Sequence, residues 1–139
     1  MIIVHTDGGS RGNPGNAATG VVIEHGTTPL FESGEYLGIT TNNVAEYTAV
    51  IRALNWLISQ KSSTLHMAGE LIQFKLDSQL VVEQLNGRYA VKQPNMLELV
   101  RQVRQKLSLL GIPAQFTYIP RKENARADAL VNKALDARL

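Results

Sequence analysis

Leu71-Ile72-Gln73-Phe74-Lys75-Leu76-Asp77-Ser78-Gln79 is the stretch on which the fold turns. Ile72, Phe74 and Leu76 alternate with polar Gln73 and Lys75, the period-2 pattern of a strand with one buried face. From Gln79 to Leu85 the pattern changes to a helical one, and Asn86-Gly87 supplies a stop signal. A strand that passes at once into a helix points to a crossover in an α/β arrangement.

The flanking segments extend this reading in both directions. Upstream, Met1–Thr6 is rich in β-branched residues and reads as a strand halted by Asp7-Gly8-Gly9, with Gly8 through Gly15 as a loop. Gly20–Glu24 and Leu30–Leu37 read as two more strands around the turn-prone His25-Gly26-Thr27-Thr28-Pro29, completing an antiparallel meander. Val44, Tyr47, Ile51, Leu54 and Ile58 then recur at helical spacing, which predicts a helix over 43–60 with Thr41, Asn42 and Asn43 as cap residues. Trp56, the single tryptophan, is expected in the core from this helix.

Downstream, Met96, Val100, Val103, Leu107 and Leu110 mark a further amphipathic helix between a connection containing Pro94 and the stop at Gly111 and Pro113. Ala114–Ile119 alternates as a strand, Pro120 opens a basic loop, and Ala125–Leu135 closes the chain as a helix. The order β-β-β-α-β-α-α-β-α predicts an α/β fold with a mixed sheet, antiparallel first and parallel across the helical crossovers.

With 139 residues, 44% of them hydrophobic, the chain is the size of one domain spanning 1–139. It has no cysteine, which excludes disulfides, thiolate zinc sites, Cys nucleophiles and iron–sulfur clusters. No apolar run approaches the roughly 20 residues of a membrane span, and Met1–His5 lacks the pattern of a signal peptide, so a soluble cytoplasmic protein is expected. The net charge of +2 divides unevenly, with −3 on residues 1–60 and +5 on the remainder.

Four carboxylates stand out by position. Asp7 and Asp77 end strands that, if parallel neighbours, bring both acids to one carboxyl edge of the sheet, where open α/β folds bind ligands. Glu46, in the first turn of its predicted helix, and Asp128, at the start of the last, each sit among apolar neighbours. Taken singly, each acid has a plainer reading: a favourable charge near a helix N-terminus for Glu46 and Asp128, a turn for Asp7, a capping segment for Asp77-Ser78. Taken together they form a cluster that needs protons or cations, and an oxygen-only ligand set suits Mg²⁺ or Mn²⁺. The chemistry that uses such a cluster is in-line displacement at phosphorus assisted by two metal ions. The glycine-rich Asp7–Gly15 segment lacks the Gly-Lys-Ser/Thr ending of a nucleotide-phosphate loop.

Thr6-Asp7-Gly8-Gly9-Ser10-Arg11-Gly12-Asn13-Pro14-Gly15, Thr41-Asn42-Asn43-Val44-Ala45-Glu46, Asp77-Ser78-Gln79 and Glu123-Asn124-Ala125-Arg126-Ala127-Asp128, in that order, resemble ribonuclease H of type 1 over essentially the whole chain. The resemblance implies an RNase H-like fold, a five-stranded mixed sheet flanked by helices. It implies an endonuclease that cuts the RNA strand of RNA–DNA hybrids by a two-metal-ion mechanism, leaving 5′-phosphate and 3′-hydroxyl ends, with no protein partner, acting as a monomer. Asp7, Glu46, Asp77 and Asp128 match the catalytic, metal-binding acids, with two Mg²⁺ ions per site and Mn²⁺ as a substitute. Asn13, Asn42, Asn43 and Gln79 match minor-groove contacts, Thr41 matches a residue that fixes a DNA-strand phosphate, and the backbone of Gly8, Gly9, Ser10 and Arg11 offers close contacts.

The chain departs from the family in three places. Asn16 and Ala18 stand in place of the more usual proline and glycine of the first motif, a change expected to alter loop stiffness without removing a ligand. The loop Pro120-Arg121-Lys122-Glu123-Asn124 lacks the histidine that many bacterial members carry, and His5, His25 and His66 fall on a strand, in a turn and in a loop. Arg121 or Lys122 is the cation available there to offset charge on phosphate. The basic, tryptophan-containing protrusion of longer relatives is also missing, leaving Arg88, Tyr89 and Lys92 as accessory contacts to the DNA strand. A DNA nuclease with a similar acid cluster and a catalytically silent nucleic-acid-binding module are the competing readings.

Overall fold

The computed structural model describes residues 1–61 and 69–138; His66 lies outside the described residues. Five strands, β1 (Ile2–Arg11), β2 (Gly15–His25), β3 (Thr28–Thr40), β4 (Ile72–Leu76) and β5 (Ala114–Tyr118), form one sheet in the order β3-β2-β1-β4-β5. The first three are antiparallel, and β1–β4 and β4–β5 are parallel. Four helices accompany them: α1 (Asn42–Gln60), α2 (Gln79–Leu85), α3 (Pro94–Leu110) and α4 (Ala125–Asp136), the last preceded by a 3₁₀ turn over Arg121–Asn124. Among the described residues no helix is long and apolar enough to cross a membrane.

The apolar periodicities become the core. Ile2 and Val4 of β1, Ile72, Phe74 and Leu76 of β4, and Tyr47, Val50, Leu54 and Leu57 of α1 are buried together with Val103 and Leu110 of α3. Burying one such large side chain contributes roughly 1.5–3 kcal/mol. Tyr47 carries its hydroxyl into this layer and donates it to Gln84 Oε1 at 2.6 Å, so α2 is tied to α1 without leaving a phenol unpaired.

Several local expectations need correction. β1 does not stop at Asp7: it continues through Gly8, Gly9 and Ser10 to Arg11, paired in register with β2 as far as Asn16. The glycines look like a turn in sequence, but Gly8 is a strand residue pressed against the start of α1. A Cβ there would lie 2.2 Å from the Ala45 carbonyl carbon. β2 and β3 are correspondingly longer than predicted, and His25 closes β2 instead of lying in the turn. The loop opened by Pro120 is in part the 3₁₀ turn. Trp56 is half-buried at the margin of the core, stacked on Phe31 at 5.0 Å.

On the other face, α4 crosses β2 and β3. Its backbone approaches so closely that a Cβ on Gly20 would meet the Ala127 carbonyl oxygen at 2.2 Å. That contact fixes the start of α4 over β2, and Asp128 is the next residue.

Candidate active site

Each acid reaches the carboxyl edge of β1 and β4 by a different route. Asp7 comes from the strand interior, aligned with Gly20 of β2, and Asp77 from the residue after β4. Thr41 caps α1 by accepting the Val44 N–H at 3.3 Å, so the helix begins at Asn42 and Glu46 lies one residue further in than expected, just past the first turn. Asp128 is in the first turn of α4.

Oxygens of Asp7, Glu46 and Asp77 lie within 4.8 Å of one another. Asp7 is 6% exposed and Glu46 8%, so water screens little of the repulsion. Burial first, then the charges of Asp77 and Asp128, push the Asp7 carboxyl up to about 8. Burial and the Asp7 and Asp77 carboxylates likewise raise Glu46 well above the usual range. Glu46 Oε2 is buried without a hydrogen-bond partner. Among the described residues Asp128 alone of the four has a basic partner, Arg121 at 3.3 Å. A set of close carboxylates, two of them buried, short of cations and with one oxygen unpartnered, fits hard divalent cations.

The acids line a cleft of about 460 Å³ together with Gly8, Gly9, Ser10, Arg11, Asn42 and Arg121. Its rim is tied together by polar side chains. Asn42 Oδ1 accepts the Ser10 N–H at 2.8 Å and lies 3.0 Å from Ser10 Oγ, while the Asn42 N–H donates to Asn13 Oδ1 at 3.1 Å. The β1–β2 turn is thereby fastened to the N-terminus of α1. Arg11 reaches Asp136 at 2.7 Å and Asn132 Oδ1 at 3.3 Å on α4.

A family model described as reverse transcriptase-like matches residues 5–134. The crystal structure of LC11-RNase H1 in complex with RNA/DNA hybrid superimposes with a TM-score of 0.91 at 43% identity, covering 99% of each chain. The chain belongs to the ribonuclease H type 1 family. Among curated relatives, ribonuclease HI of Halobacterium salinarum is 40% identical over 132 residues, which cover 94% of this chain and 62% of the relative. A bifunctional protein of Mycobacterium tuberculosis is 39% identical over 139 residues, covering 98% of this chain and 36% of the relative. The chain therefore spans about a third of the length of the mycobacterial protein.

The ribonuclease H fold sorts the other residues predicted from sequence. Gln79 is exposed at the first position of α2, beside Asp77. Asn43 lines a separate groove with Leu80 and Lys92. Arg88 is held by Glu83 at 2.5 and 2.7 Å, in a depression bounded by β5, and does not line the acid cleft. Lys122 lies in another pocket with His5 and Arg126, so of the two loop cations only Arg121 enters the cleft. The 3₁₀ turn sends these neighbouring side chains to different places.

Two asparagines at the site were not predicted. Asn132 donates to the Asp128 carbonyl at 3.1 Å and lies 3.4 Å from Asp128 Oδ2. Its signal in the sequence was a polar residue one turn after Asp128, beside apolar Leu130 and Val131. Asn124, 1% exposed, donates from Nδ2 to the Thr6 carbonyl at 2.9 Å and to Asp77 Oδ2 at 3.3 Å.

Proposed function

We propose that this chain hydrolyses the RNA strand of RNA–DNA hybrids as an endonuclease, using divalent metal ions held by Asp7, Glu46, Asp77 and Asp128 and leaving 5′-phosphate and 3′-hydroxyl ends. The observation that carries this reading is the convergence of four carboxylates at one sheet edge, two of them with strongly raised affinity for protons. Mg²⁺ is the intended ion and Mn²⁺ a substitute. When bound, such ions supply activation of water and stabilisation of the departing 3′-oxygen. Two of them would change the formal charge from +2 to about +6, favouring a polyanion.

The chain's own groups then have distinct tasks. Asp7 and Asp77, from adjacent parallel strands, hold the centre of the site, Glu46 closes it from α1 and Asp128 from α4. The Ser10–Asn42–Asn13 network presents a fixed edge of amides to the minor groove, where the 2′-hydroxyl distinguishes RNA from DNA. Asn43 and Gln79 extend that edge, and Thr41 faces a phosphate of the DNA strand. Arg121 and Arg11, on the cleft walls, face phosphates of the cleaved strand. Lys92, in the groove with Asn43, takes the place of the missing protrusion. Arg88 serves there only after leaving Glu83. One copy of the domain contains the whole cleft, which supports action as a monomer.

The test presents one labelled RNA strand alone, paired with RNA and paired with DNA, plus a DNA duplex carrying a single ribonucleotide, each with Mg²⁺, Mn²⁺ or chelator. Metal-dependent cutting confined to the full hybrid is the expected result. Degradation of duplex DNA with the hybrid spared, or salt-sensitive hybrid binding without cleavage, would overturn the reading.

A further inference from the structure

Asn124 occupies the N-cap of α4, a position where asparagine ordinarily accepts a backbone N–H through its side-chain oxygen and contributes about 1 kcal/mol. Here it makes no such bond. Its amide is turned away from the helix that it begins, and Nδ2 donates to Thr6 O and Asp77 Oδ2. Oδ1 is buried without a partner, as is Thr6 Oγ1. A residue suited to capping has given up its cap and left an acceptor unpaired at 1% exposure. The unpaired acceptor is a cost to stability, and what Nδ2 touches explains the side chain's placement.

Those contacts connect three of the four acids. Thr6 immediately precedes Asp7, Asp77 is bonded directly, and the Asn124 backbone leads into α4 one turn before Asp128. We infer that Asn124 is a positioning residue for the divalent-cation site: its amide holds the end of β1, the Asp77 carboxylate and the start of α4 at one spacing. The inference rests on the acid cluster binding metal, not on what the site cleaves. By donating to Asp77, the amide restricts which carboxylate oxygen turns toward the cluster. Partners of this kind, behind the ligands themselves, typically change metal affinity or activity by 10- to 100-fold.

The test is calorimetric titration of Mn²⁺ into the folded protein without nucleic acid, for wild type, Asn124→Ala and Asn124→Ser. Serine can cap α4 but is too short to span Thr6 and Asp77, so it separates helix capping from positioning. The expected result is Mn²⁺ affinity lowered about 10- to 100-fold in both variants, with the melting temperature of Asn124→Ser near that of wild type. At fixed subsaturating Mn²⁺, kcat on hybrid should fall while KM changes less than about twofold. If Asn124→Ala fails to fold, Asn124→Ser decides. Wild-type Mn²⁺ affinity in Asn124→Ser would overturn the inference. Wild-type protein that binds Mn²⁺ yet cleaves no hybrid would remove the functional proposal and leave this one standing.

Discussion

At the start of β1, the Glu70 carboxylate takes the Met1 ammonium at 2.6 Å and His25 Nε2 at 2.5 Å, and these partners hold it below the usual glutamate range. At the far end of the β1–β4 pairing, Asp7 meets Glu46, Asp77 and Asp128, and its proton affinity moves the opposite way, to about 8. One end of the β1–β4 pair neutralises its carboxylate within the chain, and the other collects carboxylates without enough cations. Three of the four buried side-chain atoms without partners among the described residues, on Thr6, Glu46 and Asn124, belong to that second end. A chain optimised for stability alone would treat both ends alike; the imbalance is what a cation-binding site requires.

The largest expected effect comes from breaking the imbalance. Asp7→Asn should lower metal-dependent hybrid cleavage by about 10³-fold, equivalent to about 4 kcal/mol of transition-state stabilisation. In chelator the same variant should melt higher than wild type, because it removes a buried charge from among like charges. Single-turnover cleavage and a thermal melt read the two outcomes, and a variant of unchanged activity would sink the assignment of Asp7.

Next comes Gly8→Ala, which places a methyl group against the α1 backbone at Ala45 and Glu46. Overpacking of this kind costs about 1–3 kcal/mol. Denaturant unfolding should show that loss, with a fall in kcat as Glu46 is displaced.

The pH dependence of the metal-free protein sharpens the comparison further. The folded state binds the Asp7 proton more tightly than the unfolded chain does, whose carboxyl titrates near the ordinary 3.8. This stabilising contribution is complete below about pH 4 and is lost as the pH climbs to about 8. In chelator the melting temperature should fall by about 5 °C or more between pH 5 and 8.5, and saturating Mg²⁺ or Asp7→Asn should flatten the fall. Glu70 has the reverse sign, its contribution present above the usual glutamate range and lost as pH drops through it.

Smallest of all, Glu70→Gln should shift the melting temperature by about 2 °C or less, because the ion pairs it removes lie at the surface with their cationic partners 51% and 41% exposed. Hybrid cleavage should not change. A large loss of activity there would mean that the two ends are coupled through the sheet.

The order of elements was legible because the apolar period switches from 2 to 3.6 at identifiable places, most sharply at Asp77-Ser78. The four acids were legible because Glu46 and Asp128 interrupt apolar neighbourhoods near helix starts, Asp77 follows directly on a strand, and Asp7 precedes glycines that read as a strand's end. The continuation of β1 through Gly8, Gly9 and Ser10 was not, since glycines that admit a helix backbone and glycines that make a turn are the same letters. Nor could the sequence separate Arg121 from Lys122, show that Glu83 restrains Arg88, or show that Asn124 turns its amide toward Asp77 and away from the helix it precedes.

By itself, then, the sequence determined the succession of strands and helices and the identity of the acids, because periodicity and residue chemistry are local properties. Only the tertiary structure decided which strands lie side by side, how closely α1 and α4 press on the sheet, and which polar groups face the acids. Those relations join residues as far apart as Thr6 and Asn124. They depend on distances that arise only when the whole chain has packed.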